Sequence, residues 1–159
     1  MLGDGLNRYR DAGLLVLRVG LGACFVGHGW PKLAGGPSMW AGLGGAMGNF
    51  GIHFAPAAWG FVGAAIEVFG GLLFALGFLF RPVCVLLVGQ MIVAMTYHLH
   101  AQVPYARAFA TGWSHPLEDG VVFLAMIIVG PGRYSVDEGI SRGVAEAEHR
   151  PIVGVTPQA

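Results

Sequence analysis

Few residues in this chain have the character and setting for chemistry, and Glu67 leads them. It is the sole ionisable residue in the apolar stretch Ala57 to Phe80, AAWGFVGAAIEVFGGLLFALGFLF. A carboxylate inside such a stretch is costly in a bilayer and usually faces a protein interior or a wet cavity. There it could take up and pass on a proton. Arg18, the charge within the first apolar segment, is its expected partner. Two roles stay open for the pair. It could fix the register of two helices, or it could act directly on a substrate or proton. In either case, removing one partner of a buried ion pair costs about 3–5 kcal/mol.

Further polar residues gather near the ends of other apolar segments. His28 and Lys32 close the first, His98 and His100 close the third, and Gln90 lies midway along the third. His115, Glu118 and Asp119 open a fourth. His98 and His100 are separated by about 200° around a helix, so they do not chelate one metal. The chain lacks C-x-x-C, H-E-x-x-H and phosphate-loop patterns, and its glycine-rich connection lacks G-x-G-x-x-G after a strand. No metal ligand set is expected.

The elements that position these groups follow from composition. The 159 residues are 55% hydrophobic and 11% charged, with a mean hydropathy of +0.63. Soluble domains carry roughly 25% charged residues, so the chain reads as a membrane protein. Zero formal net charge and no basic patch argue against nucleic acid as a partner. Cys24 and Cys84 lie at different expected depths and form no disulfide.

The expected fold is all-α, an integral membrane four-helix bundle over residues 1–135, followed by a cytoplasmic amphipathic helix and tail over 136–159. Its spans fall at about 13–30, 57–80, 83–100 and 116–130. The second span has about 24 residues and so reaches roughly 36 Å, enough to cross a core of about 30 Å with tilt. Pro31 is expected to end the first span, and Arg81-Pro82 to form a minimal turn between the second and third. Arg18 interrupts the first apolar segment and no A-x-A site follows, so an uncleaved span is read rather than a signal peptide. In the connection 32–56, Trp40, Leu43, Met47, Phe50 and Phe54 recur at helical steps, which predicts an interfacial helix or lid in the first outer loop. Gly60, Gly63, Gly70 and Gly71 lie on or near the Glu67 face and invite a close helix neighbour, which includes a second copy of the chain. Tyr105, Arg107 and Phe109 fall in the second outer loop. Ser135-Val136-Asp137-Glu138 fits a capping box that starts the last helix, with Ile140, Val144 and Ala147 on one face and a frayed tail beyond His149.

Charge sets the orientation. With four spans, Arg8, Arg10, Arg81, Arg133, Arg142 and Arg150 share one side, against Lys32 and Arg107 on the other. The positive-inside rule places both termini in the cytoplasm. Five of the six histidines then gather at the outer mouth, with Glu67 roughly 15 Å below it. Trp30, Trp40, Trp59 and Trp113 fall near that surface as an aromatic belt.

Three stretches resemble the DoxX family of small four-span membrane proteins. They are R-V-G-L-G-A-C-F-V-G-H-G-W-P-K-L from Arg18 to Leu33, E-V-F-G-G-L-L-F-A-L-G-F from Glu67 to Phe78, and G-P-G-R-Y-S-V-D from Gly130 to Asp137. The resemblance implies kinship with the membrane subunit of an archaeal thiosulfate:quinone oxidoreductase and with membrane complexes of redox defence. It implies a multi-pass protein of a bacterial-type inner membrane, with a separate redox subunit or a second copy as partner. It does not fix a catalytic mechanism, a substrate or a cofactor.

Set beside the residues, the resemblance suggests a quinone-linked membrane subunit. Its catalytic residues are Glu67 and Arg18, and a polar site opening to the outer face is lined by His28, Lys32, Gln90, His98 and Glu118. A quinone head group bonded by histidine and an acidic residue is the favoured ligand. Bis-histidine haem between His28 and His98 is the disfavoured one. A non-catalytic anchor for a partner enzyme and a small-solute or proton transporter are the alternatives.

Overall fold

The computed structural model describes residues 8–100 and 112–148, and all regular structure among them is helical. The expectations for Tyr105, Arg107 and Phe109, and for the tail from His149, lie outside the described residues.

Helix α1 spans Arg10–Ala34 and runs straight through Pro31, so the expected stop at Pro31 is corrected. An interior proline removes one backbone donor without forbidding continuation when packing holds both sides. Here the exposed end is secured instead by Trp40, whose Nε1 donates to the carbonyls of Lys32 (3.0 Å) and Leu33 (3.2 Å). The chain turns at Gly36, which has a φ of 78°.

Helix α2 covers Gly36–Gly44 and leads into a 3₁₀ helix over Gly45–Phe50. Helix α3 covers Pro56–Ala65, a π-helical turn covers Ile66–Gly70, and α4 covers Gly71–Leu76. These three form one rod that packs against α2 at its start and mainly against α1 from the π turn onward, with α1 also touching α3. A methyl group at Gly44 would collide with the Pro56 carbonyl, and one at Gly60 with the Trp40 backbone. A methyl group at Gly71 would come within 2.8 Å of Phe25 Cβ. Gly60 and Gly71 thus admit the chain's own α2 and α1, while Gly63 and Gly70 of the same rod face Gln90 and Leu87 of the next helix.

Gly77, with φ 67°, ends the rod, and the turn occupies 77–79 rather than Arg81-Pro82. Helix α5 spans Phe80–His100, so Pro82 lies in its first turn, where a missing N–H is tolerated. Helix α6 spans Ser114–Val129 and packs along α5, and α7 spans Val136–Glu148.

Among the described residues, Arg10–Ala34, Pro56–Leu76 and Phe80–His100 are long and apolar enough to cross a membrane. At 16 residues, α6 is shorter than that. Cys24 is exposed, Cys84 is buried, and both thiols are free.

The core occupies one half of the bundle. Phe74 stacks on Phe80 at 5.1 Å, and Phe123 meets Phe25 (4.9 Å) and Phe74 (5.1 Å) edge-on. Leu87 and Cys84 complete it, fully buried. Edge-to-face ring pairs add attraction beyond their buried area. This half is solid, and the other half encloses a cavity.

Candidate functional site

Glu67 sits in the π turn at the middle of the Pro56–Leu76 rod and is 4% exposed. Its partner is Lys32. Lys32 Nζ donates to Oε1 at 2.8 Å and to Oε2 at 2.6 Å. Gln90 Nε2, from α5, donates to Oε1 at 3.1 Å. The carboxylate is therefore gripped from two helices, and it lies against α1 because residue 29 is glycine. A methyl group there would come within 2.8 Å of Glu67 Cβ and Val68 Cγ2.

The expected Arg18–Glu67 pair does not form. Arg18 is fully buried at the other end of α1, where Nη2 donates to the Tyr134 carbonyl at 2.6 Å. Asp137 acts on it electrostatically, and its Nε and Nη1 have no hydrogen-bond partner among the described residues. The physical reason is direction. Helical side chains lean toward the helix N-terminus, so Arg18 leans away from Glu67 while Lys32 leans toward it.

Arg18 belongs to a second polar assembly built by Gly130–Asp137. Asp137 accepts from the backbone N–H of Leu79 and Phe80, both at 2.9 Å. Its own N–H donates to the Gly77 carbonyl at 3.1 Å. The Arg133 N–H donates to Asp11 Oδ1 at 3.0 Å, and Arg81 Nε to the Ile127 carbonyl at 3.1 Å. The Glu138 N–H donates to Ser135 Oγ at 3.3 Å, the expected cap of α7, while the Glu138 carboxylate turns to Arg142 Nε at 3.0 Å. The segment thus ties together the start of α1, the end of α4, the start of α5 and the start of α7.

Beside Glu67 lies a cavity of about 680 Å³. Lys32, Glu67 and Gln90 form its polar floor, and Val62, Ala64, Val85, Leu86 and Val93 form apolar walls. Tyr97 and His98, near the end of α5, also line it, as do Leu43, Ala46 and Met47 from α2 and the 3₁₀ helix. Trp59 also lines it, with an indole N–H buried and unpartnered among the described residues. A lysine ammonium has three donors and an amide nitrogen two. Lys32 and Gln90 therefore each keep one N–H beyond those given to Glu67.

Of the sequence-predicted residues, Glu67, Lys32, Gln90 and His98 converge on this cavity. Arg18, His28 and Glu118 do not line it. His28 is exposed on α1 and neighbours Asp119, with His115 and Glu118, outside the cavity. His28 and His98, weighed above as a disfavoured haem pair, are not brought together, since His98 lines the cavity and His28 does not. Trp59 and Tyr97 were missed as lining residues. Trp59 had been assigned to a lipid-facing belt on its depth alone, and depth does not give the direction of a ring around a helix.

A bundle of long apolar helices around a buried, hydrogen-bonded carboxylate defines a small multi-pass helical membrane protein. Residues 13–101 match the family model DoxX, and the chain belongs to the DoxX family. The matched stretch contains all but the first three residues of α1, then α2 to α5 and the whole Lys32–Glu67–Gln90 cluster, and the Gly130–Asp137 segment lies beyond it. Neither the curated proteins nor the solved structures contain a match.

Proposed function

We propose that the protein is a redox-associated membrane subunit whose cavity binds a quinone. One observation carries this reading: an apolar chamber of about 680 Å³ with Lys32, Glu67 and Gln90 presented at its floor. Ligand pockets of roughly 300–1,000 Å³ with mostly apolar walls and a few convergent polar groups are the usual form of a small-molecule site. A bound quinone supplies acceptance of two electrons and two protons. The chain's residues do the rest. The free N–H groups of Lys32 and Gln90 point to bonding of a ring carbonyl, and Trp59 Nε1 offers a further donor. Glu67 holds both donors in place and relays protons, taking each up and passing it on to the reduced ring, while the electrons come from a separate redox subunit. Arg18 takes a structural part at the far end of the bundle.

In this reading α6 is a fourth span lying against α5. Its exposed Val121, Leu124, Ile128 and Val129 support lipid contact on that side. Helix α2 and the 3₁₀ helix form a fixed interfacial cap over the cavity. The arginine-rich end gathered around Arg81 and Arg133 faces the cytoplasm of a bacterial-type inner membrane, with the cavity in the outer half.

The test is equilibrium binding of an isoprenoid quinone to purified protein in liposomes. Saturable binding that falls with Glu67→Gln in a folded protein upholds the reading, and absence of binding by the native chain ends it. A second reading, an anchor for a partner enzyme, is favoured by α7. Its Val136, Ile140 and Val144 form an exposed apolar stripe, and a folded Glu67→Gln protein that still supports its partner's activity would favour it.

A further inference from the structure

We infer that the cavity is filled sideways from the bilayer, through a portal between α3 and α5 whose width is set by Gly89, and that its ligand carries a hydrocarbon tail left in the lipid. The head-group class rests on the function proposed above, while the route rests on independent geometry.

The outer roof is closed. The α2–α3 hairpin is locked by Gly44 seated on the Pro56 carbonyl and Gly60 seated on Trp40, with Leu43, Ala46 and Met47 directly over the cavity. Backbone approaches of this kind leave no slack for a hinged lid.

The side is open. Helix α5 packs on the π turn and on the 3₁₀ helix, and between them its backbone stays apart from α3, with the Gln90 side chain reaching across to Gly63. Val62 on α3 and Val85, Leu86 and Gly89 on α5 all line the cavity. Val62, Val85 and Leu86 are also 44%, 56% and 54% exposed, as expected of side chains along an open edge of the chamber. Gly89 is about 13 Å along α5 from its start, near the middle of a bilayer core of roughly 30 Å. At that depth the surroundings are hydrocarbon. A substituent on Gly89 would meet nothing within 4 Å, so the position can carry a ring across the gap without clashing with the fold.

The competing route is aqueous. A smaller crevice lined by Gly45, Asn49 and His100 shares Ala46 and Tyr97 with the cavity. Gly45 likewise faces open space and can be plugged in the same way.

The experiment uses the full chain in phosphatidylcholine liposomes, with Gly89→Phe, Gly45→Phe and a second portal variant, Val85→Trp. Each variant is compared for binding of a long-tailed isoprenoid quinone and a tailless benzoquinone. Both portal variants should weaken the long-tailed ligand by about tenfold or more, because the added ring takes the space its tail would occupy, and should spare the tailless one. Gly45→Phe should leave the long-tailed ligand unchanged. Loss with Gly45→Phe and none with the portal variants overturns the inference. A second readout needs no quinone. Phosphatidylcholine with a diazirine in its acyl chain should photolabel the peptides containing Glu67 and Gln90, and Gly89→Phe should abolish the labelling. Absence of label in the native protein overturns the portal. Label without quinone binding overturns the functional reading and leaves the portal standing.

Discussion

Lys32 Nζ lies 2.8 Å from one oxygen and 2.6 Å from the other oxygen of Glu67, so a residue near the end of α1 neutralises a carboxylate at the centre of the next span. The pair is lopsided, with the lysine side chain 36% exposed and the glutamate 5%. The glutamate bears the larger share of the cost of burial.

That asymmetry predicts a directional double-mutant cycle. Lys32→Met should destabilise the protein by about 2 kcal/mol, less than the usual buried pair because the lysine is partly solvated. Glu67→Gln, which keeps an acceptor for Gln90, should cost less. Combining the two should recover about 1 kcal/mol of the lysine loss. Thermal unfolding in detergent checks the ordering, and a strictly additive cycle would show the two side chains to be uncoupled.

Asp137 closes two backbone donors at the start of α5 and supplies the negative charge beside Arg18. Asp137→Ala should cost about 2–3 kcal/mol and increase proteolytic cleavage near residues 77–79. Glu138→Ala, which removes a surface pair with both partners nearly half exposed, should change stability by less than about 0.5 kcal/mol.

Two glycines of α1 should respond in opposite ways. Gly29→Val drives a side chain into Glu67 and Val68, so quinone binding and melting temperature should both fall. At Gly27 a methyl group meets nothing within 4 Å, and Gly27→Ala should be neutral or stabilising by up to about 1 kcal/mol. Equal responses would contradict the observed α1 packing.

Trp40→Phe keeps a ring at the position but deletes the donor to the Lys32 and Leu33 carbonyls. It should cost about 1 kcal/mol and hasten amide hydrogen exchange at the end of α1. Unchanged exchange there would show that the indole bond does not secure that end.

Much of the architecture was legible because it depends on run lengths and local chemistry. Apolar runs located the three long helices, and the Ser135–Glu138 pattern located the start of α7. The site was legible in part. Of the residues singled out, Glu67, Gln90, His98 and Lys32 share one cavity and Arg18, His28 and Glu118 do not, and the pairing of Glu67 was not legible, since it depends on the register between antiparallel helices. Gly22 meets Gly71 and Gly29 meets Glu67, and the same register carries Arg18 down to Gly77. The lean of helical side chains toward the N-terminus was the available signal. His28 was misplaced because depth was known and azimuth was not.

The π turn at Ile66–Gly70 also divides the labour of the second span. In an unbroken α-helix Gly60 and Gly71, eleven positions apart at roughly 100° each, would face nearly the same way. One wide turn holds an extra residue, so the two halves are wound out of phase. The upper half meets α2 and the lower half meets α1. A single rod thereby acts as a two-sided spline, and deleting one residue from the wide turn would force it to choose between its neighbours.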